Sequence, residues 1–102
     1  METIIKENCQ EKAIITLKGD LDTAAVKDFM STIQPVINDA GKPITVDFTE
    51  LNYISSAGMR VLLVLNKNAA EKGGSVAIVG MSENILQIFQ MVGFDKMFNI
   101  VR

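Results

Sequence analysis

The sequence predicts a small α/β domain: a mixed β-sheet with helices packed mainly on one side, in the order β-β-α-β-α-β-α-β. Three observations carry that reading. The chain has 102 residues, the size of one domain with one core, so residues 1–102 are taken as a single domain. Its segments switch between β-branched runs and stretches with helical apolar spacing. Beyond the first two runs they succeed each other as strand, helix, strand, which favours parallel pairing through crossover connections.

"TIIKEN" and "AIITLKG" are β-branched and flank the polar "CQEK". They predict an antiparallel hairpin over Thr3 to Asn8 and Ala13 to Lys18. In "DLDTAAVKDFMSTIQPVINDAG", Asp22 or Thr23 can cap a helix, and Val26, Phe29, Met30, Ile33 and Ile37 recur at helical spacing. Pro35 inside that pattern predicts a kink or a broken last turn. Gly41 is expected to end the helix.

"KPITVDF" predicts a strand over Ile44 to Phe48, and its near-continuous apolar character predicts burial on both faces. A second helix is expected from Ala57 to Lys72, closed by Gly73-Gly74. Along it Met59, Leu62, Leu63 and Asn66 form a core face. Val61, Val64 and Leu65 make its first half apolar nearly all round, so part of that surface is a candidate partner contact. "SVAIVG" predicts a strand. Ser82 caps a third helix with the stripe Ile85, Leu86, Phe89 and Val92. A last strand runs around Phe98 to Val101. Phe89, Met91, Val92, Phe94, Met97 and Phe98 are expected mainly in the core, with Met91 and Met97 filling gaps.

Composition excludes several functions. The net charge is −2, with acids and bases mixed, so no basic run marks a nucleic-acid partner. The chain has one cysteine, Cys9, which excludes an internal disulfide and fits a reducing compartment. "METIIKENCQEK" lacks the apolar core of a secretory signal, and no apolar run approaches the ~20 residues of a membrane helix. A cytoplasmic protein without membrane insertion is expected. There is no histidine, which removes the commonest general base and metal ligand. No metal site and no cofactor are expected.

"NYISSAGMRVLLVL" places Ser55 and Ser56 where a strand hands over to a helix. A serine there can cap the helix, a role worth about 1 kcal/mol. The unpaired N–H groups and the dipole of a helix start also favour an anion. A hydrolase elbow needs glycine two residues before its serine, and a histidine. Ile54 occupies the first position and the second is missing, so no enzyme is expected. A phosphate-binding loop is excluded by the same spelling. Phosphorylation would add about −1.5 to −2 charges at a helix end that tolerates them, and would change mainly the surface offered to a partner.

These segments together resemble the STAS domain, and within it the bacterial anti-sigma factor antagonists. "LKGDLDTAAV" is similar to the family's G-E-L-D strand-to-helix segment. "VDFTELNYISSAGMRVLL" is similar to its central apolar strand followed by D-S-S/T-G-L. "EKGGSVAIVG" and "ILQIFQMVGFDKMFNI" are similar to its later helix exit and its closing helix and strand. The resemblance implies a small sheet with helices on one side. It also implies a non-enzymatic regulator that binds an anti-sigma factor, itself a serine kinase of the GHKL type, and frees a sigma factor. Phosphorylation of the serine after the signature aspartate switches it off, and a phosphatase resets it. By position that serine is Ser56.

Ser55 stands where the signature aspartate is expected, which makes Ser55 an alternative acceptor. Ala57 replaces the usual second hydroxyl residue. Arg60 replaces a common glycine and lies four residues after Ser56, within reach of the first turn. Asp20 and Asp22 are read as turn and cap, or as partner contacts; a metal pair lacks its other ligands. The expected partner surface is therefore Asp20, Asp22, Thr23, Ser55, Ala57, Gly58, Met59 and Arg60, on a monomer or weak dimer. The alternative reading is a non-phosphorylated adaptor subunit of a lipid-transport or stress-signalling complex, with Ser56 in a docking surface only.

Overall fold

The computed structural model describes residues 1–101. Five strands form one sheet in the order β1-β2-β3-β4-β5: β1 (Glu2–Asn8), β2 (Ala13–Leu21), β3 (Pro43–Ile54), β4 (Ser75–Val79) and β5 (Asn99–Val101). β1 and β2 pair antiparallel, and every later pairing is parallel. Helices α1 (Val26–Asn38), α2 (Ser56–Glu71) and α3 (Glu83–Met91) make the three crossovers. Each crossover adds a strand to the same growing edge. With one handedness of crossover, that order puts every helix on the same face.

Register shows which face is covered. Ala13, Ile44 and Val76 form one cross-strand row, and Ile15, Val46 and Ile78 the next. All six are buried, together with Phe29 and Ile33 of α1, Leu62 and Leu65 of α2, and Ile85 and Phe89 of α3. Phe89 meets Phe48 and Phe98 edge to face at 6.1 and 5.9 Å, the favoured aromatic geometry. The opposite face carries Ile14, Thr45, Asp47, Ala77 and Val79, all half-buried. The mixed sheet with helices on one side thus agrees with the sequence expectation. The expected burial of the third strand on both faces does not: Ile44, Val46 and Phe48 are buried while Thr45 and Asp47 are only half-covered.

Other differences have local causes. β3 runs six residues beyond Phe48, to Ile54. Its extension pairs with β2 through two register shifts, after Thr16 and after Gly19. α1 is not broken at Pro35 but continues to Asn38. Pro35 and Ser31 are exposed, so water can serve the carbonyl that the missing N–H leaves free. Gly41 does not cap α1. The helix closes tightly as Asp39 donates its N–H to Val36 O at 3.3 Å. Gly41 instead lies so near Lys72 O that a Cβ would stand 2.9 Å from it.

α2 does end at the two glycines. Gly74 N–H donates to Ala69 O at 2.7 Å and Gly73 N–H to Ala70 O at 3.3 Å, with Gly73 at φ +83°. This is the Schellman closure, which needs a left-handed residue. Near the C-terminus, Met91, Val92 and Met97 are exposed at 85%, 48% and 55%, not buried as expected. Met91 ends α3 two residues past the buried Phe89, on the opposite face of the helix, and Gly93 follows at φ +77°. Of the apolar first half of α2, Val61 and Leu65 are buried and Val64 is exposed. No helix of the described residues is long and apolar enough to cross a membrane.

Candidate functional site

The carboxyl ends of β2 and β3 lie side by side, the edge where open α/β sheets gather their sites. Leu21 pairs with Ile54, and Asp20 with Tyr53. The chain then turns into α2 through Ser55. Its backbone is extended, at φ −83° and ψ 163°, as an N-cap requires. Ser55 Oγ accepts the N–H of Gly58 at 3.1 Å. Its own N–H donates to Leu21 O at 2.8 Å, and its carbonyl accepts Met59 N–H at 3.0 Å. Three bonds and 7% exposure fix Ser55 inside the turn.

Ser56 is the first residue of α2 and is exposed. The two serines therefore divide their roles. Ser55 caps, and Ser56 presents its hydroxyl outward at the positive end of the helix dipole. Gly58 is buried and is shaped by packing. A Cβ there would stand 2.7 Å from Leu21 Cγ and 2.9 Å from Leu21 Cδ2. Met59 is buried at 3% exposure and points into the core, and Ala57 is half-buried. Of the expected surface residues on this helix, Gly58 and Met59 thus support the turn from inside, while Ser56 and Arg60 face out.

The acidic side of the site comes from β2 and the short 3-10 turn Thr23–Ala25 that follows it. Asp22 Oδ1 accepts Ala25 N–H at 2.9 Å and so starts that turn. Asp20, Asp22 and Thr23 are exposed. Asp20, Asp22 and Asp28 line an open cleft of about 450 Å³ together with Met1. The turn packs against α2, and Leu21, which stands between Asp20 and Asp22, holds the N–H of Ser55 on its carbonyl. Among the described residues no cluster of three metal-ligating side chains occurs.

Arg60 is exposed one turn after Ser56. Lys12 pairs with Glu7, Lys18 with Glu50 and Lys42 with Asp39, while Arg60 has no ion-pair partner among the described residues. Tyr53 was missed by sequence reasoning. It is 47% exposed beside Asp20, at the end of β3. The signal was an aromatic two residues before the double serine, in a stretch given no element. An exposed tyrosine and arginine flanking a small-residue turn are the residue types that anchor protein interfaces.

A family model described as "Mlab, STAS domain" matches residues 7–102. The chain belongs to the STAS domain family. This STAS domain is 21% identical over 96 residues to the anti-sigma-B factor antagonist of Listeria monocytogenes, covering 94% of this chain and 84% of that one. Its fold superposes on the Bacillus cell fate determinant SpoIIAA in the phosphorylated form with TM-score 0.74 and 20% identity, covering 99% and 92% of the two chains. An anti-sigma factor antagonist from Mycobacterium paratuberculosis gives TM-score 0.83 at 17% identity, covering 97% and 83%. At these identities the two structures establish the shared fold.

Proposed function

We propose that this STAS domain is an anti-sigma factor antagonist. It binds an anti-sigma factor that is also a serine kinase of the GHKL type, frees a sigma factor, and is switched off by phosphorylation at Ser56. The observation that carries this reading is the division between the two serines: Ser56 exposed at the first position of α2, Ser55 buried with its hydroxyl engaged. The names of the similar proteins support the same role.

In the transfer step Ser56 Oγ attacks the γ-phosphorus of ATP held by the kinase. The bond from that phosphorus to the β,γ-bridging oxygen breaks, ADP leaves, and the hydroxyl proton passes to a base on the kinase. The Ser55 cap needs no change, so the fold persists while the partner surface gains negative charge. A phosphatase hydrolyses the phosphoserine and restores binding. The contact surface in this reading is Asp20, Asp22, Thr23, Tyr53, Ser56, Ala57 and Arg60, on a cytoplasmic monomer or weak dimer.

The test is incubation with ATP and a GHKL-type anti-sigma kinase, followed by mass mapping of the phosphoryl group. A single phosphate on Ser56, absent from Ser56→Ala, is expected. Modification of Ser55 in the unaltered protein, or no modification, contradicts the reading.

A second reading is the adaptor, a STAS subunit that docks through the same turn without phosphorylation. Ser55 in place of the signature aspartate favours it. Co-purification with transporter subunits, with no phosphate on Ser56, is its expected signature.

A further inference from the structure

We propose that Arg60 is the internal counter-ion of a phosphoryl group on Ser56, so that this domain holds its own phosphate against the first turn of α2. The inference rests on the reading of Ser56 as phosphoacceptor. The juxtaposition behind it is an exposed serine at the first position of α2 and an exposed, unpaired arginine four residues on.

Residues four apart on a helix are neighbours, with Cβ atoms about 5–6 Å apart, and the pair is strongest when the anion is the N-terminal member. Ser56 and Arg60 have that spacing and that order. A guanidinium offers a planar fork of N–H donors that matches a phosphate edge. No carboxylate of the described residues occupies Arg60. Lys72, by contrast, already donates to Asn38 O at 2.6 Å, and Lys42 to Cys9 O at 2.6 Å.

The surroundings make the counter-ion matter. Asp20 and Asp22 flank Leu21, whose carbonyl accepts Ser55 N–H at 2.8 Å at this helix start. A phosphate on Ser56 meets those like charges from the β2–α1 connection. The cap beside it is a neutral serine rather than a carboxylate, so it adds no further repulsion. Arg60 then sets how much of the phosphate's charge reaches a partner: a weaker repulsion than an isolated phosphate would give.

The test uses the full chain with phosphoserine installed at position 56 during translation, so it needs no kinase. The second ionisation of the phosphate is followed by ³¹P NMR in the otherwise unaltered protein, in Arg60→Ala and in Arg60→Lys. Arg60 is exposed, so these variants keep the fold, which circular dichroism checks. The midpoint is expected lower with Arg60 than in Arg60→Ala by roughly 0.15–0.4 pH unit at low salt. The gap closes toward zero in about 1 M salt. Arg60→Lys falls between them. Equal midpoints with and without Arg60 overturn the pairing. Because the phosphate is supplied by translation, a kinase that ignores Ser56 would sink the switch reading and leave this result standing.

Discussion

Ser55 Oγ accepts the N–H of Gly58 at 3.1 Å and closes the first turn of α2 from within the fold. That bond occupies the hydroxyl of one serine and leaves its neighbour, Ser56, facing outward. The site is built as a fixed cap beneath an exposed serine, and the two can be perturbed separately.

Ser55→Ala removes the cap and is expected to cost about 1 kcal/mol. For a domain of this size that lowers Tm by about 4–8 °C. Ser56→Ala changes an exposed side chain and should stay within about 0.5 kcal/mol of the unaltered protein. Urea titration of both variants checks the assignment. A larger loss in Ser56→Ala than in Ser55→Ala would reverse it.

Gly58→Ala drives a Cβ to 2.7 Å from Leu21 Cγ, in a site where Leu21 is fully buried. Overpacking of this kind costs about 1–3 kcal/mol, offset in part by the better helix propensity of alanine. A net loss of stability is expected, together with ¹H–¹⁵N shift changes at Leu21, Ser55 and Ser56. Unchanged stability and unchanged shifts at the turn would show that Gly58 does not set its geometry.

Asp47 gives a dependence on pH. Its Oδ1 accepts from Thr49 Oγ1 at 2.6 Å and from Thr49 N–H at 2.9 Å. The Thr49 hydroxyl bond is the main cause that holds this carboxyl below its ordinary value. The backbone bond and the charge of Lys6 help, and desolvation opposes them. The folded protein therefore holds this proton less tightly than the unfolded chain. The stabilisation is present above the unfolded value, about 3.9, and is lost as pH falls through the lower folded value. Thr49→Val should shrink that acid-side loss, measured as the change in urea midpoint between about pH 6 and pH 3. An undiminished loss would assign the shift to another group.

Much of this was legible in the sequence where turn chemistry states the backbone's needs. Asp22, Ser82 and the Gly73-Gly74 pair each act as their residue types require. The strand order was not legible, because it depends on crossovers that leave no local mark. The second half of β3 was hidden for a physical reason. Leu51 and Ile54 are its buried residues, three apart rather than two, because the pairing with β2 slips at Gly19. A period-two search fails across such a slip, and Tyr53 was lost with it. Met91, Val92 and Met97 misled because composition counts apolar residues without their place on the helix: Met91, two residues past the buried Phe89, lies on the far side of α3. At the site, "ISSAG" marked a helix start. Which serine caps and which is exposed needed the bond from Gly58.

The proposed switch depends on Ser56. The most direct measurement is the affinity of a GHKL-type anti-sigma factor for the unmodified domain and for the same domain carrying phosphoserine at 56. Like-charge repulsion and loss of a docked hydroxyl predict binding weaker by about tenfold or more, which is about 1.4 kcal/mol. Equal affinities for the two forms would contradict the switch.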